Sequence, residues 1–189
     1  MKIDGNTIRP GMVIEHQSRL WRVTKIQHTQ PGKGGAYLQV ELKDIRGGTK
    51  LNERFRSSEK VERATLEQHE FQYLFSQDDR FTFMNSQTYE QVELGADLID
   101  DDQKPFLMEG VVVTIESHED NPIGFQLPDT VVLEVTEADP VVKGQTASSS
   151  YKPATLENEL KILVPPHIDA GTKVVISTAD KSYIERAKE

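Results

Sequence analysis

The sequence predicts an all-β protein made of three small β-barrels. Apolar and polar residues alternate with a period of two along most of the 189-residue chain, which is the pattern of half-buried strands. Glycine-, asparagine- and aspartate-rich turns separate these short segments, and no long helical period interrupts them. Charge also changes sharply along the chain, which indicates modules with different surroundings.

The first third of the chain predicts a compact barrel. Residues 11–30 alternate as two strands joined by a polar turn at Gln17-Ser18. Residues 35–45 and 50–64 predict two more strands, joined by the turn "RGGTK". Strands and tight turns without a helix in about 60 residues are typical of small closed sheets.

The remaining two thirds fit two five-stranded barrels, for which the OB-like design is common. A hairpin is predicted around Asp78-Asp79, and "GADLIDDDQ" at 95–103 is the best candidate for a short helix. Trp21 and Phe55, which alternate with charged neighbours, are expected in a core and not on a base-stacking surface. Further strands are predicted within residues 109–117, 123–137, 154–165 and 172–187.

The net charge of -9 is distributed unevenly. Residues 1–64 carry a net +6, residues 65–128 a net -12 and residues 129–189 a net -3. We take these three ranges as the predicted domains. A basic first domain could face nucleic-acid phosphate, whereas the acidic middle domain could not do so over a broad area. That acidity argues against a general OB-type single-strand-binding module, which would need a basic OB region.

Several function classes lack the residues they need. The chain has no cysteine, so disulfides, thiolate catalysis and thiolate zinc sites are excluded. The five histidines are scattered without ligand spacing, so no metal is expected. Asp100-Asp101-Asp102 is interpreted as a solvated run and not as an acid/base pair. Without an apolar signal segment or membrane span, we expect a cytoplasmic protein with no membrane partner.

The stretch "QPGKGGA" at residues 30–36 places Lys33 among glycines and a proline. Its position between two strands predicts a slim hairpin tip that ends in an ammonium group. An ordinary solvated turn is the alternative. A phosphate-binding P-loop would need Ser or Thr after the lysine and then a helix. A Schiff-base lysine would need burial or a cationic neighbour, and neither is expected here.

Longer stretches resemble a known family. "RPGMVIEHQSRLWRV" and "QPGKGGAYLQVELKDIRGGTKLNERFRSSEKVERA" resemble the first domain of the bacterial translation elongation factor P family. The likeness continues through "FMNSQTYEQVEL" and ends in the stretch that contains "KPATLE" and "VPPHI". It covers nearly the whole chain in the family's order.

The resemblance implies an SH3-like, KOW-type domain followed by two OB-like domains in an L shape that imitates tRNA. It implies a monomeric factor, not an enzyme, that needs no cofactor. Such a factor binds the 70S ribosome and its rRNA between the P and E sites. It contacts the P-site peptidyl-tRNA, stimulates peptide-bond formation and relieves stalling at consecutive prolines.

In this family the lysine that matches Lys33 is the functional tip, and it often carries a covalent extension such as a β-lysyl group. A modifying enzyme is therefore an expected partner. The surrounding loop residues are expected to shape the tip: Pro31, Gly32, Gly34 and Gly35. Candidates for RNA contact are Arg54, Arg56, Lys60, Arg63, Lys143, Lys152, Tyr183 and Arg186. Gln145, Ser148 and Ser149, and the tail "STADKSY", depart from the family pattern and weaken the transfer of contacts there.

Overall fold

The computed structural model describes residues 1–141 and 150–189. These residues form strands and turns, with two short 3₁₀ turns at Gly5–Thr7 and Lys104–Phe106 as the helical segments among them. The all-β fold class is therefore confirmed. The strands are β1 Lys2–Asp4, β2 Val13–His16, β3 Arg19–Thr29, β4 Tyr37–Asp44, β5 Lys50–Arg56, β6 Lys60–Arg63, β7 Glu67–Gln77, β8 Arg80–Asn85, β9 Gln91–Gly95, β10 Val112–His118, β11 Asn121–Gln126, β12 Thr130–Ala138, β13 Lys152–Leu156, β14 Lys161–Val164, β15 Lys173–Ser177 and β16 Ser182–Arg186.

The strands form three sheets. The first has the order β1-β6-β2-β3-β4-β5, the second β11-β10-β7-β8-β9, and the third β14-β13-β12-β15-β16. By compactness the chain divides into two units, Met1–His69 with Ile115–Gly124, and Glu70–Thr114 with Phe125–Glu189.

Within the first unit, alternation along the strands places one face of the sheet in a core. Leu38, Val40 and Leu42 of β4 are buried, while the residues between them point outward. Trp21 and Phe55 are buried as predicted, and the Trp21 Nε1 group donates to the His16 carbonyl at 2.9 Å. The core thus forms on the side of β4 away from Glu41 and Lys43.

The second unit contains two groups of buried side chains. Phe83 packs against Tyr73 and Phe125, with ring centroids 5.5 and 5.7 Å away. A separate aliphatic core contains Val135, Leu156 and other residues of β12–β15. In that third sheet the outer strands β14 and β16 approach each other, which curves the sheet toward a barrel.

The predicted tight hairpins are confirmed, although their turn residues are not glycine. Gln17 and Ser18 have φ of 50° and 61°, and Asp78 and Asp79 have 51° and 59°. Positive φ at both central residues is the geometry of a type I′ turn, which matches the twist of the flanking strands. Glu119 and Asp120 form a third turn of this kind, with φ of 49° and 64°.

Two expectations about local structure were wrong. Gly95 ends β9, residues 96–103 form turns and irregular structure, and a 3₁₀ turn begins only at Lys104. Aspartate disfavours helix interiors because its side chain competes for backbone groups, and in this segment the Gln103 side chain accepts from the Asp100 N–H at 3.0 Å. Residues 50–64 form two strands, β5 and β6, because a turn at 57–58 separates them.

Candidate functional site

The loop around Lys33 is the end of a long antiparallel hairpin. β3 and β4 pair from Trp21 opposite Asp44 as far as Thr29 opposite Tyr37. Residues 30–36 then connect the two strands. The predicted hairpin tip is confirmed. A P-loop is excluded because the segment after Lys33 is a strand and not a helix.

Lys33 lies exposed on this loop. Among residues 1–141 and 150–189, no hydrogen bond or ion pair engages its ammonium group. A Schiff-base lysine would need burial or a neighbouring cation, and burial is not present at this exposed position. The geometry offers a cation at the end of a narrow projection.

The glycines beside Lys33 differ in what the loop requires of them. Gly34 has φ of +116°, a conformation that other residues adopt only with strain. Gly32 and Gly35 have no positive φ, and a Cβ atom at either position would meet nothing within 4 Å. The fold therefore does not require glycine at 32 and 35 on steric grounds. Their small size matters only toward something outside the chain.

Arg54 and Arg56 lie beside the base of the tip loop. The Arg54 guanidinium carbon is 4.1 Å from the centroid of the Tyr37 ring, a cation–π arrangement. Arg56 lies opposite Tyr37 in the β4–β5 pairing. Both arginines are exposed, and within the described part of the chain neither guanidinium is paired with a carboxylate. Two of the predicted RNA contacts are thus brought together at the base of the loop that carries Lys33.

Sequence reasoning missed three lysines on the same outward face. All three are exposed. Lys25 of β3 lies opposite Glu41 of β4, and Lys50 of β5 lies opposite Lys43 of β4. With Arg54 and Arg56 they form what we call the outer basic face.

Strand alternation could have identified Lys43, which is in phase with exposed Gln39, and Lys50, which is in phase with Arg54. Lys25 is in phase with buried Trp21 and Val23, and it faces outward because the β3–β4 register shifts between Val23 and Lys25.

Glu41 is the one acid in these outward register rows. The Thr24 hydroxyl donates to it at 2.7 Å, and Lys50 lies 3.5 Å away. The hydrogen bond from Thr24, together with the charges of Lys50 and Lys25, lowers the pKa of the Glu41 carboxyl. Its negative charge is thus offset locally, and the face as a whole remains basic.

The other candidates of the first domain lie away from the tip. Lys60 is exposed and forms an ion pair with Asp4. Arg63 is exposed on β6, and its carbonyl accepts from the Met1 amino group at 3.1 Å. Their contact with RNA stays a prediction, and they do not join the outer basic face.

Among the candidates near the C-terminus, Lys152 does not fit its predicted role. Its side chain is 9% exposed, and its ammonium lies 3.3 Å from the Asp169 carboxylate. A buried, paired lysine offers little charge to an external phosphate, so its position does not support the prediction. Lys143 and Gln145 fall outside the described residues.

Tyr183 is half-buried against the aliphatic core of the third sheet, and Arg186 is exposed at the end of β16. Burial raises the pKa of the Tyr183 phenol, and the nearby Tyr151 acts in the same direction. Tyr183 therefore has a structural role in packing. Contact of either residue with RNA stays a prediction.

Two features are absent from the residues that the structure describes, 1–141 and 150–189. No group of three or more histidine, aspartate or glutamate side chains there could hold a metal ion. None of the helical segments in that part of the chain has the length and apolar character needed to cross a membrane.

Comparison with family models gives three consecutive matches. Residues 4–61 match the elongation factor P KOW-like domain, residues 66–125 the elongation factor P OB domain, and residues 131–186 the elongation factor P C-terminal domain. Together they cover most of the chain, in the order that the sequence resemblance implied.

Full-length relatives agree with these matches. Elongation factor P of Parvibaculum lavamentivorans is 56% identical over 187 residues, which are 99% of this chain and 100% of the relative. Elongation factor P of Brucella canis is 57% identical over 187 residues, with the same coverage.

Solved structures share the fold at low identity. Eukaryotic translation initiation factor 5A from Methanococcus jannaschii aligns with a TM-score of 0.54 at 24% identity, over 68% of this chain and 92% of that chain. An eIF-5A family protein from Naegleria fowleri aligns with a TM-score of 0.50 at 14% identity, over 67% and 98% of the two chains.

Proposed function

Because the chain belongs to the elongation factor P family and is a translation elongation factor, we propose that it acts on the ribosome through Lys33. It binds between the P and E sites and holds the end of the P-site peptidyl-tRNA. It thereby speeds peptide-bond formation where consecutive prolines stall the ribosome. The factor works in the cytoplasm as a monomer, and the ribosome itself forms the bond.

The observation that carries this proposal is the exposed Lys33 ammonium at the end of the β3–β4 hairpin, and no group within the described residues pairs with it. Proline is a rigid and poor nucleophile, so a badly placed peptidyl-tRNA reacts slowly with it. An ammonium has three donors, which suit phosphate and 2′-hydroxyl oxygens. Holding a reactant in its productive orientation can lower a barrier by several kcal/mol. A slim tip that ends in an exposed cation provides such positioning without acid/base chemistry.

The outer basic face supports the same proposal. Binding to RNA phosphate releases counterions, so each neutralised phosphate adds salt-dependent affinity. Arg54 and Arg56 stand nearest the tip loop and would contact the backbone of the acceptor end. RNA helices are recognised largely by shape and by backbone contacts. Recognition of this kind needs no base-specific side chain at the tip.

A covalent extension of Lys33 fits the exposed position. A modifying enzyme could approach the side chain directly, since Gly32 and Gly35 leave open space around it. A β-lysyl-type group would lengthen the arm and add a second amine. We propose that such an extension increases reach into the peptidyl transferase centre and that no other cofactor is needed.

The testing experiment is cell-free translation of a reporter with a Pro-Pro-Pro run. The protein is purified from its native host, so that any modification is present, and compared with Lys33→Ala from the same host. Lys188→Ala, which removes another exposed lysine, is the matched control. We expect relief of stalling by wild type and Lys188→Ala and a loss of at least tenfold in Lys33→Ala.

Two other outcomes would each contradict part of the proposal. Equal relief by wild type and Lys33→Ala would keep the factor but reject the tip lysine as its working group. No relief by any of the three proteins, on ribosomes known to respond to such a factor, would reject the proposed activity on prolines.

A further inference from the structure

A buried carboxylate lies at the base of the strand that leads to Lys33. Glu116 on β10 is 5% exposed. It accepts from Arg22 Nη2 of β3 at 2.6 Å and from Gln68 Nε2 of β7 at 2.9 Å. Arg22 Nη1 also donates to the Gly11 carbonyl at 3.2 Å. We call Arg22, Gln68 and Glu116 the carboxylate clamp.

Around the clamp, the backbone of β11 lies very close to the Glu116 side chain. A Cβ atom on Gly124 of β11 would lie 2.6 Å from Glu116 Oε2 and 3.4 Å from its Cβ. Beside the clamp, Val13, Ala64 and Ile123 form a small buried cluster. The six-stranded sheet is thus held on residues 115–124 by a polar contact and an apolar one, all within the first compact unit.

Stability alone is a weak reason for such a clamp. Removing two charges from water costs much of what their attraction returns, so an apolar pair of similar volume often serves as well. A hydrogen-bonded carboxylate differs from apolar packing in direction, because its bonds fix the angle between the groups. One terminal nitrogen of Arg22, Nη2, donates to Glu116, and the other, Nη1, donates to the Gly11 carbonyl.

Because Arg22 lies on β3, which leads to the Lys33 loop, the angle fixed at the clamp affects the position of the tip. β3 extends seven residues from Arg22 to Thr29, about 24 Å at about 3.4 Å per residue. A rotation of about 5° at the clamp would displace the tip by about 2 Å on this lever. Misplacement of a positioning group by about 1 Å can reduce a rate by a large factor.

We propose that Arg22, Gln68 and Glu116 are positioning residues for Lys33. They fix the direction of the β3–β4 hairpin on residues 115–124, and they touch no substrate themselves. This inference rests on the proposed function. It predicts that a change in the clamp weakens the catalytic effect of a bound factor more than it weakens binding to the ribosome.

The test compares Glu116→Gln with wild type in the rate of Pro-Pro-Pro synthesis against factor concentration. Glu93→Gln is the matched control, because Glu93 pairs with Arg80 at 2.7 Å on an exposed surface. We expect Glu116→Gln to lower the saturated rate about tenfold, with a half-saturating concentration within about twofold of wild type. Residual dipolar couplings should show that the amides of β3 and β4 change orientation together relative to the amides of residues 115–124.

Arg22→Lys serves as the second variant if Glu116→Gln does not fold, as judged by circular dichroism. It keeps the charge and loses the two-armed geometry, so the same rate loss and rotation are expected. Wild-type rates, or a rate loss without rotated couplings, would overturn the inference. The proposed function would stand in that case if Lys33→Ala remained inactive, and it would fall separately if wild type itself gave no stall relief.

Discussion

Asp44 shows how one carboxylate organises the loop between β4 and β5. Its Oδ1 atom accepts from the N–H groups of Arg46 and Gly47 at 2.8 and 3.1 Å. Its Oδ2 atom lies 3.3 Å from Arg19 Nη1. The hydrogen bond from Gly47, with that from Arg46 and the charge of Arg19, lowers the pKa of the Asp44 carboxyl below its usual range. The residue thus closes the turn "IRGGT" in its ionised form.

We expect Asp44→Asn to lower the melting temperature at pH 7, since a neutral amide accepts these bonds more weakly than a carboxylate. A lowered pKa stabilises the fold fully above the unfolded value, about 3.9, and this stabilisation is lost as pH falls through the folded value. The gap between wild type and variant should therefore narrow below about pH 4. Melting curves followed by circular dichroism from pH 7 to 2.5 measure it, and parallel curves over that range would contradict the account.

At the scale of one element, the fold requires glycine at one position of the tip loop, residues 30–36, and does not require it at another. Gly34 carries the positive φ, whereas Gly35 has an ordinary backbone and open space around it. Substitution of Gly34 by alanine should strain the loop, at a cost of about 1 kcal/mol. Substitution of Gly35 should leave the fold intact or stabilise it slightly, because alanine restricts the unfolded chain.

These two variants make a paired functional prediction. Gly35→Ala should melt at or above the wild-type temperature and yet relieve Pro-Pro-Pro stalling several-fold less well, because the added methyl group crowds an external surface. Gly34→Ala should lower both the melting temperature and the relief of Pro-Pro-Pro stalling. Thermal melts and the cell-free reporter measure the two effects independently. Full activity in Gly35→Ala would mean that the slimness of the tip at this position is not used.

The sequence could predict strands and turns because those signals are local. Period-two alternation and the Gln17-Ser18 and Asp78-Asp79 turns each depend on neighbours within a few residues, and all were confirmed. Residues 95–103 do not form the predicted helix. In so short a segment, few helical hydrogen bonds are available to offset the free-energy cost of forming the first turn. Three successive aspartates do not help to offset this cost.

Contacts between distant segments could not be predicted in the same way. Arg22 and Glu116 are 94 residues apart in sequence, and no spacing rule connects them. Burial of Lys152 depends on where Asp169 and the third sheet lie. The exposed position of Lys33 at a loop end was predictable, because Pro31 and the glycines signal it directly. Of the missed lysines, Lys43 and Lys50 follow from strand phase, whereas Lys25 faces outward because of a register shift between Val23 and Lys25 that alternation does not predict.

At the scale of the whole molecule, positive charge is concentrated in the first third of the chain. Residues 1–64 carry a net +6, whereas the chain as a whole carries -9. Non-specific adhesion to nucleic acid is disfavoured by the acidic remainder, while the basic face can still approach phosphate. The affinity of the factor for the ribosome should therefore depend strongly on salt, although the protein is acidic overall.

This salt dependence tests the outer basic face as a phosphate-binding surface. A plot of log Kd for the ribosome against log salt has a slope set by the phosphates neutralised, and loss of one contact reduces that slope by about one. We expect Arg54→Gln and Arg56→Gln each to reduce the slope by about one and their combination by about two. Arg80→Gln, which removes an exposed arginine from the acidic middle of the chain, should leave the slope unchanged. A slope unaltered in the double variant would mean that these arginines face solvent in the complex, and attraction to RNA would then depend on the lysines of the same face.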